Sequence, residues 1–254
     1  MSYPILDPSH PDPSLASRCA LAVMAKAPRP GKVKTRLSPP LTLEQTAALN
    51  VGFLRDTTQN IAEVTASGRA SGLISYTPVG DEALFDGLLP MGFSLIAQRG
   101  DGFGKRLLTS ATDILACGFG AVCLINSDSP TIPTAAFQQA VEALTAPGNR
   151  IVLGGSNDGG YYLIGMKQPH PNPFENISWS TSSVYSETVS AIAAAGIELV
   201  ELPLWYDVDD AAALKTLSEE LLDGVAPPFA ERSGYSAPHS KQFLISLRHS
   251  GDVQ

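Results

Sequence analysis

Seven apolar runs of strand length recur along the chain, at residues 19–25, 72–76, 93–97, 121–125, 151–153, 161–165 and 197–202. Most are continuous rather than alternating in polarity, the pattern of strands covered on both faces. The segments between them place apolar residues at helical spacing. In the first, Thr42 and Gln45 form a capping-box pattern, and Val51, Leu54, Thr58 and Ile61 fall on one face. Further helices are predicted over 105–116, 134–144, 183–195 and 210–222. This alternation predicts an α/β fold, a mixed but mainly parallel Rossmann-like sheet flanked by helices on both faces. One interval breaks the rhythm. Residues 154–160 are too few for a crossover helix, so the runs on either side form an antiparallel pair or a strand that leaves and re-enters the sheet.

The pattern divides the chain into an N-terminal extension over 1–18, one domain over 19–223 and a C-terminal tail over 224–254. The tail turns to Pro, Ser and Arg with one short apolar run at 243–247, and is expected on the surface or partly disordered. Hydrophobic residues at 44% and charged residues at 17% leave little room for a long disordered charged region. No apolar stretch approaches the roughly 20 residues that cross a bilayer, and the first residues lack a basic-then-apolar leader, which points to a cytoplasmic protein with no membrane partner. The three cysteines, Cys19, Cys117 and Cys123, lack zinc or redox spacing and are expected as buried thiols. A net charge of -8 argues against nucleic acid as a partner.

Against that acidic background one window is basic. Lys26, Arg29, Lys32, Lys34 and Arg36 put five cations into the loop after the first strand, with prolines to stiffen it and Gly31 to let backbone approach a ligand. Open α/β sheets bind ligands at the carboxyl ends of their strands, so this loop is a candidate phosphate site. It matches neither a P-loop nor a G-x-G-x-x-G turn. After the fourth strand, Asn126-Ser-Asp128-Ser-Pro places one acid beyond a buried run, as a metal ligand or a helix cap would be. After the last strand come Asp207, Asp209 and Asp210, three acids in four residues, of which helix capping explains one. Asp128 and Asp209 are expected to meet at one divalent cation, Mg2+ or Mn2+, and to repel each other without it.

Two further segments belong to the same rim. Gly102 and Gly104, after the third strand, permit close approach to a base or ribose, or form a tight turn before a helix. Asn157-Asp158-Gly-Gly-Tyr161 offers Asp158 as a catalytic or acceptor-orienting acid, while Tyr161, Trp179 and Asp207 are candidates for the acceptor pocket.

Taken in order, Met24-Ala-Lys26-Ala-Pro with Gly31-Lys-Val-Lys34-Thr-Arg36-Leu, Asn126-Ser-Asp128-Ser-Pro, Asp158-Gly-Gly-Tyr161-Tyr-Leu-Ile-Gly, Ile177-Ser-Trp179-Ser-Thr and Asp207-Val-Asp209 resemble the DUF2064 family over residues 20–222. That family belongs to the nucleotide-diphospho-sugar transferase superfamily with a GT-A fold and is associated with radical-SAM/selenodomain gene contexts. The resemblance implies that Lys26, Lys34 and Arg36 contact phosphates, that Asp128 stands in for a D-x-D motif, and that Asp209 is the second metal ligand. It implies a metal-dependent glycosyltransferase that takes a nucleoside diphosphate-sugar and a small-molecule acceptor. The alternatives are a nucleotidyltransferase related to molybdenum cofactor or 2-phospholactate guanylyltransferase, and a non-catalytic nucleotide-binding protein.

Overall fold

The computed structural model describes residues 2–250. One seven-stranded sheet is built from β1 (Cys19–Lys26), β2 (Ala70–Thr77), β3 (Ser94–Ala97), β4 (Ala121–Ile125), β5 (Arg150–Ser156), β6 (Tyr161–Met166) and β7 (Glu198–Trp205). Their order across the sheet is β3-β2-β1-β4-β6-β5-β7. Every neighbouring pair is parallel except those made by β6, which runs antiparallel to both β4 and β5. The short 154–160 interval therefore makes a hairpin whose second strand inserts between β4 and β5. The helices are α1 (Leu43–Thr65), α2 (Phe103–Ala116), α3 (Thr134–Thr145), α4 (Val184–Ala194), α5 (Ala211–Ser218) and α6 (Pro238–Ser250). None is long and apolar enough to cross a membrane.

Continuous apolar strands follow from a core on each face. On β1, Cys19, Leu21, Val23 and Ala25 join Leu49, Phe53 and Ile61 of α1 and Phe137 and Val141 of α3. Ala20 and Ala22 point the other way, to Leu107, Ala111 and Ile114 of α2 and Ile192 of α4. A fully buried side chain of Leu or Phe size contributes about 2 kcal/mol, so neither face can be polar without loss. All three cysteines are free and buried.

The two ends of the chain are more integrated than their composition suggests. Near the start, Leu6 N donates to Leu95 O and Leu95 N to Pro4 O, both at 2.8 Å, which covers the outer edge of β3. Of the two expectations for the tail the packed one holds at residues 238–250, which form α6 with Leu244 and Leu247 buried. The carboxylate of Asp56, on α1, caps it by accepting from His239 N at 2.9 Å and from Ser240 N at 2.7 Å. The apolar run at 243–247 is too short to announce a helix by itself, because the group that stabilises its first turn lies on α1.

Candidate active site

β2 lies on one side of β1 and β4 on the other, so the chain diverges at the β1/β4 junction and leaves a crevice at the carboxyl ends. A cleft of about 300 Å³ opens there. Its floor is organised by Lys34, which sits in the left-handed region at φ 50° and ψ 33° with only 4% of its side chain exposed. A lysine is held there against its backbone preference by what its ammonium gains. The ammonium lies 2.6 Å from Asp128 Oδ1 and 3.1 Å from Asp209 Oδ1, and it donates to Val208 O at 2.8 Å. Beneath it the Phe53 ring centroid is 5.2 Å away. The other carboxylate oxygen of Asp209 takes the Arg36 guanidinium.

β7 is an edge strand, and its exit must cross the sheet to reach this point. Trp205 and Tyr206 are buried along the way, Asn157 N donates to Trp205 O at 2.9 Å, and Val208 N donates to Asp128 O at 2.9 Å. The last contact joins the loop after β7 to the loop after β4. The three clustered acids then divide their work. Asp210 caps α5 through Ala213 N at 2.9 Å, Asp209 meets Lys34, and Asp207 accepts from Ser156 Oγ at 3.0 Å. Burial, followed by the charges of Asp158, Asp209 and Asp128, pushes the Asp207 carboxyl up to about 6.

Asp128 and Asp209 thus converge as expected, and their repulsion is relieved by a cation of the chain itself. Among the described residues no three His, Cys, Asp or Glu side chains form a self-sufficient metal cage. Small hard divalent ions are commonly bound by one or two carboxylates together with substrate phosphates, and the two convergent carboxylates of Asp128 and Asp209, held here by Lys34 and Arg36, are such a donor set. The residues present fit Mg2+ or Mn2+, with ligand oxygens needed to complete the shell.

Residues 60–181 match the family described as uncharacterized protein conserved in bacteria (DUF2064). A candidate nucleotide-diphospho-sugar transferase from Desulfovibrio desulfuricans G20 is 30% identical, with 91% of this chain and 98% of that chain covered and a TM-score of 0.74. The chain belongs to the DUF2064 family. Its fold alone is shared with CMP:2-keto-3-deoxy-manno-octonic acid synthetase complexed with CTP, at 12% identity and a TM-score of 0.50, over 82% of this chain and 100% of that one. Comparison with curated proteins gives no match.

In this DUF2064 protein the five cations of the first loop have different fates. Lys34 and Arg36 engage the acids. Lys26 and Lys32 line the cleft with Arg106 and make no ion pair among the described residues. Arg29 is turned aside, its Nε donating to Asp81 Oδ2 at 2.7 Å. Gly102 has φ 83° and precedes α2 with open space around it, whereas the space a side chain would need at Gly104 is taken by Phe174 O at 2.6 Å and the Trp179 indole at 2.7 Å. Gly104 serves the packing of α2, and neither glycine lines the cleft; Phe103 and Arg106 do.

Asp158 is exposed in the β5–β6 turn, where its Oδ1 accepts from Gly160 N at 2.8 Å. It lies outside the cleft lining but within electrostatic reach of Asp207. Trp179 backs the wall rather than forming it, with ring centroids 5.0 Å from Phe103 and 6.4 Å from Tyr161 in edge contacts. The sequence reading missed Asn50. It lies on α1, only 4% exposed, and lines the cleft, yet its Nδ2 is buried without a hydrogen-bond partner. Its signal was a polar side chain next to Leu49 on the helix that follows the basic loop, which no motif marks.

Proposed function

We propose that this protein is a metal-dependent glycosyltransferase that binds a nucleoside diphosphate-sugar in the cleft and transfers the sugar to a small acceptor. The observation that carries the reading is the buried Lys34 ammonium shared by Asp128 and Asp209, with further cations around it. The likeness to the Desulfovibrio protein supports a nucleotide-sugar donor. Lys26 gives charge-assisted hydrogen bonds to phosphate oxygens, and Lys34 and Arg36 do so once a metal takes the carboxylates of Asp128 and Asp209 that hold them here. Asp128 and Asp209 would hold Mg2+ or Mn2+, which stabilises charge developing on the leaving diphosphate. In the transfer, an acceptor oxygen bonds to the anomeric carbon as the bond from that carbon to the diphosphate breaks. The base for the acceptor proton is Asp158, which is exposed on the β5–β6 turn outside the cleft lining, so the acceptor must extend past the cleft to reach it.

A second reading is favoured by Lys26, Lys32 and Arg106, cations beyond those paired with acids and suited to a triphosphate. A nucleotidyltransferase would let a substrate phosphate attack the α-phosphorus of an NTP and would release pyrophosphate. Product analysis separates the two. Nucleoside diphosphate released slowly from a nucleotide-sugar without acceptor supports glycosyl transfer; pyrophosphate from an NTP and a sugar phosphate, with no nucleotide-sugar cleavage, overturns it. Binding without either product leaves the non-catalytic reading.

A further inference from the structure

We infer that the cleft keeps no resident metal: Lys34 closes the carboxylates of Asp128 and Asp209 to a bare divalent cation and yields them only when a diphosphate is there to take its ammonium. This concerns how the same site is loaded, and rests on the transferase reading above. The two acids line the cleft with 31% and 32% of their side chains exposed, whereas that of Lys34 is 4% exposed. Of their four carboxylate oxygens, three are taken by groups of the chain itself. Asp128 Oδ1 has Lys34 and accepts from Ser127 Oγ at 3.0 Å, Asp209 Oδ1 has Lys34, and Asp209 Oδ2 has Arg36. Asp128 Oδ2 alone has no partner among the described residues.

Charge decides what enters. Asp128 and Asp209 are negative, Lys34 and Arg36 positive, so the group is balanced as it stands. A bare dication finds one free oxygen. To gain more it must turn Lys34 out, and a buried ammonium stripped of its counter-ions is costly. A diphosphate meets a different reception, because Lys26, Lys32 and Arg106 line the cleft without an ion pair among the described residues. Held by them, it offers Lys34 new oxygens, and the ammonium exchanges carboxylate for phosphate without ever being left unpaired. The released carboxylate oxygens and the phosphate oxygens together then make a donor set that neither makes alone. The ion therefore arrives with the diphosphate and departs with it.

The test uses Mn2+ and inorganic pyrophosphate as probes on the full chain. Bare Mn2+ is followed by its EPR signal, and pyrophosphate by titration calorimetry with and without Mg2+; formation of the chelate in solution is common to every protein compared. In wild type, bare Mn2+ binds weakly, pyrophosphate binds without metal, and metal and pyrophosphate strengthen each other about thirtyfold. Lys34→Met binds bare Mn2+ about tenfold more tightly than wild type, and its coupling to pyrophosphate shrinks by about the same factor. Lys34 lies in the left-handed region at φ 50°, so Lys34→Gly removes the ammonium with a residue suited to that backbone; it gives the same result and covers the case in which the first variant does not fold. Lys26→Met removes an unpaired charge from the same cleft and leaves bare Mn2+ binding as in wild type. Equal affinity for bare Mn2+ in wild type and the Lys34 variants overturns the inference. An equal gain in Lys26→Met makes the effect one of net charge and overturns it as well. The expected Mn2+ pattern with no nucleoside diphosphate released from any nucleotide-sugar sinks the transferase reading and leaves the exchange standing.

Discussion

The loop after β1 and the segment from the end of β3 into the first turn of α2 leave the same rim of the sheet, and both carry glycine and several cations. In the first, Lys34 and Arg36 reach acids delivered by the ends of two other strands, β4 and β7. In the second, Arg99 turns back on the helix that follows it and donates from Nε to Asp113 Oδ2 at 2.9 Å, while Gly104 in that helix makes room for Trp179. Residue type is nearly the same, and the difference lies in where the partners come from. A cation paired within its own element fixes that element; a cation paired across several strand ends defines a place between them.

Four substitutions test that contrast. The largest effect is expected from Lys34→Ala, which leaves Asp128 without its cation and Asp209 with Arg36 alone, and costs about 3 kcal/mol of stability in calorimetry or denaturant melts. Mg2+ or Mn2+ should then raise the melting temperature of the variant more than that of wild type. An equal response in both would show that the acids do not hold a metal.

Asp128→Asn comes next. Repulsion alone predicts a more stable metal-free protein, but the Lys34 contact reverses the sign, and a loss of about 2 kcal/mol is expected together with loss of metal-dependent diphosphate binding. A stabilised variant would mean that Lys34 does not rest between the acids in solution. Gly104→Ala should cost about 1–2 kcal/mol by crowding Trp179 and Phe174, with diphosphate affinity unchanged in titration calorimetry. Weakened affinity at full stability would return the loop after β3 to the ligand. The smallest effect on folding belongs to Arg36→Ala, whose side chain is 72% exposed: melting should hardly move while diphosphate affinity falls about tenfold. Equal losses for nucleoside and nucleoside diphosphate would remove Arg36 from the phosphate site.

The strands were legible because each is an apolar run bounded by turn residues, and α1 because its capping box is local: Gln45 N donates to Thr42 Oγ1 at 3.1 Å and Thr42 N to Gln45 Oε1 at 2.8 Å. The reversal of β6 could be read from the length of one loop. The basic loop, Asp128 and the acids at 207–210 could be singled out as candidates from their positions after strands, and Lys34 and Asp209 among them by resemblance, but not the ammonium between the two acids, which depends on β7 crossing back over the sheet. Asn50 was missed, and Gly104 was left between a ligand contact and a tight turn, for one reason. Their environments are set by residues distant in sequence, a cleft rim for one and an indole for the other. The same holds for α6, whose cap is Asp56 on α1.

The insertion of β6 has a consequence for how the molecule is born. On the ribosome the chain emerges from its N-terminus, and one edge of β4 stays unpaired until residues 161–166 have been synthesised and folded back beside it. Asp209 emerges later still, so Lys34 is made early and waits for its partner through most of translation. A nascent chain halted before residue 207 would carry Lys34 with Asp128 alone to aim it, and the three-way contact is among the last that the growing polypeptide completes.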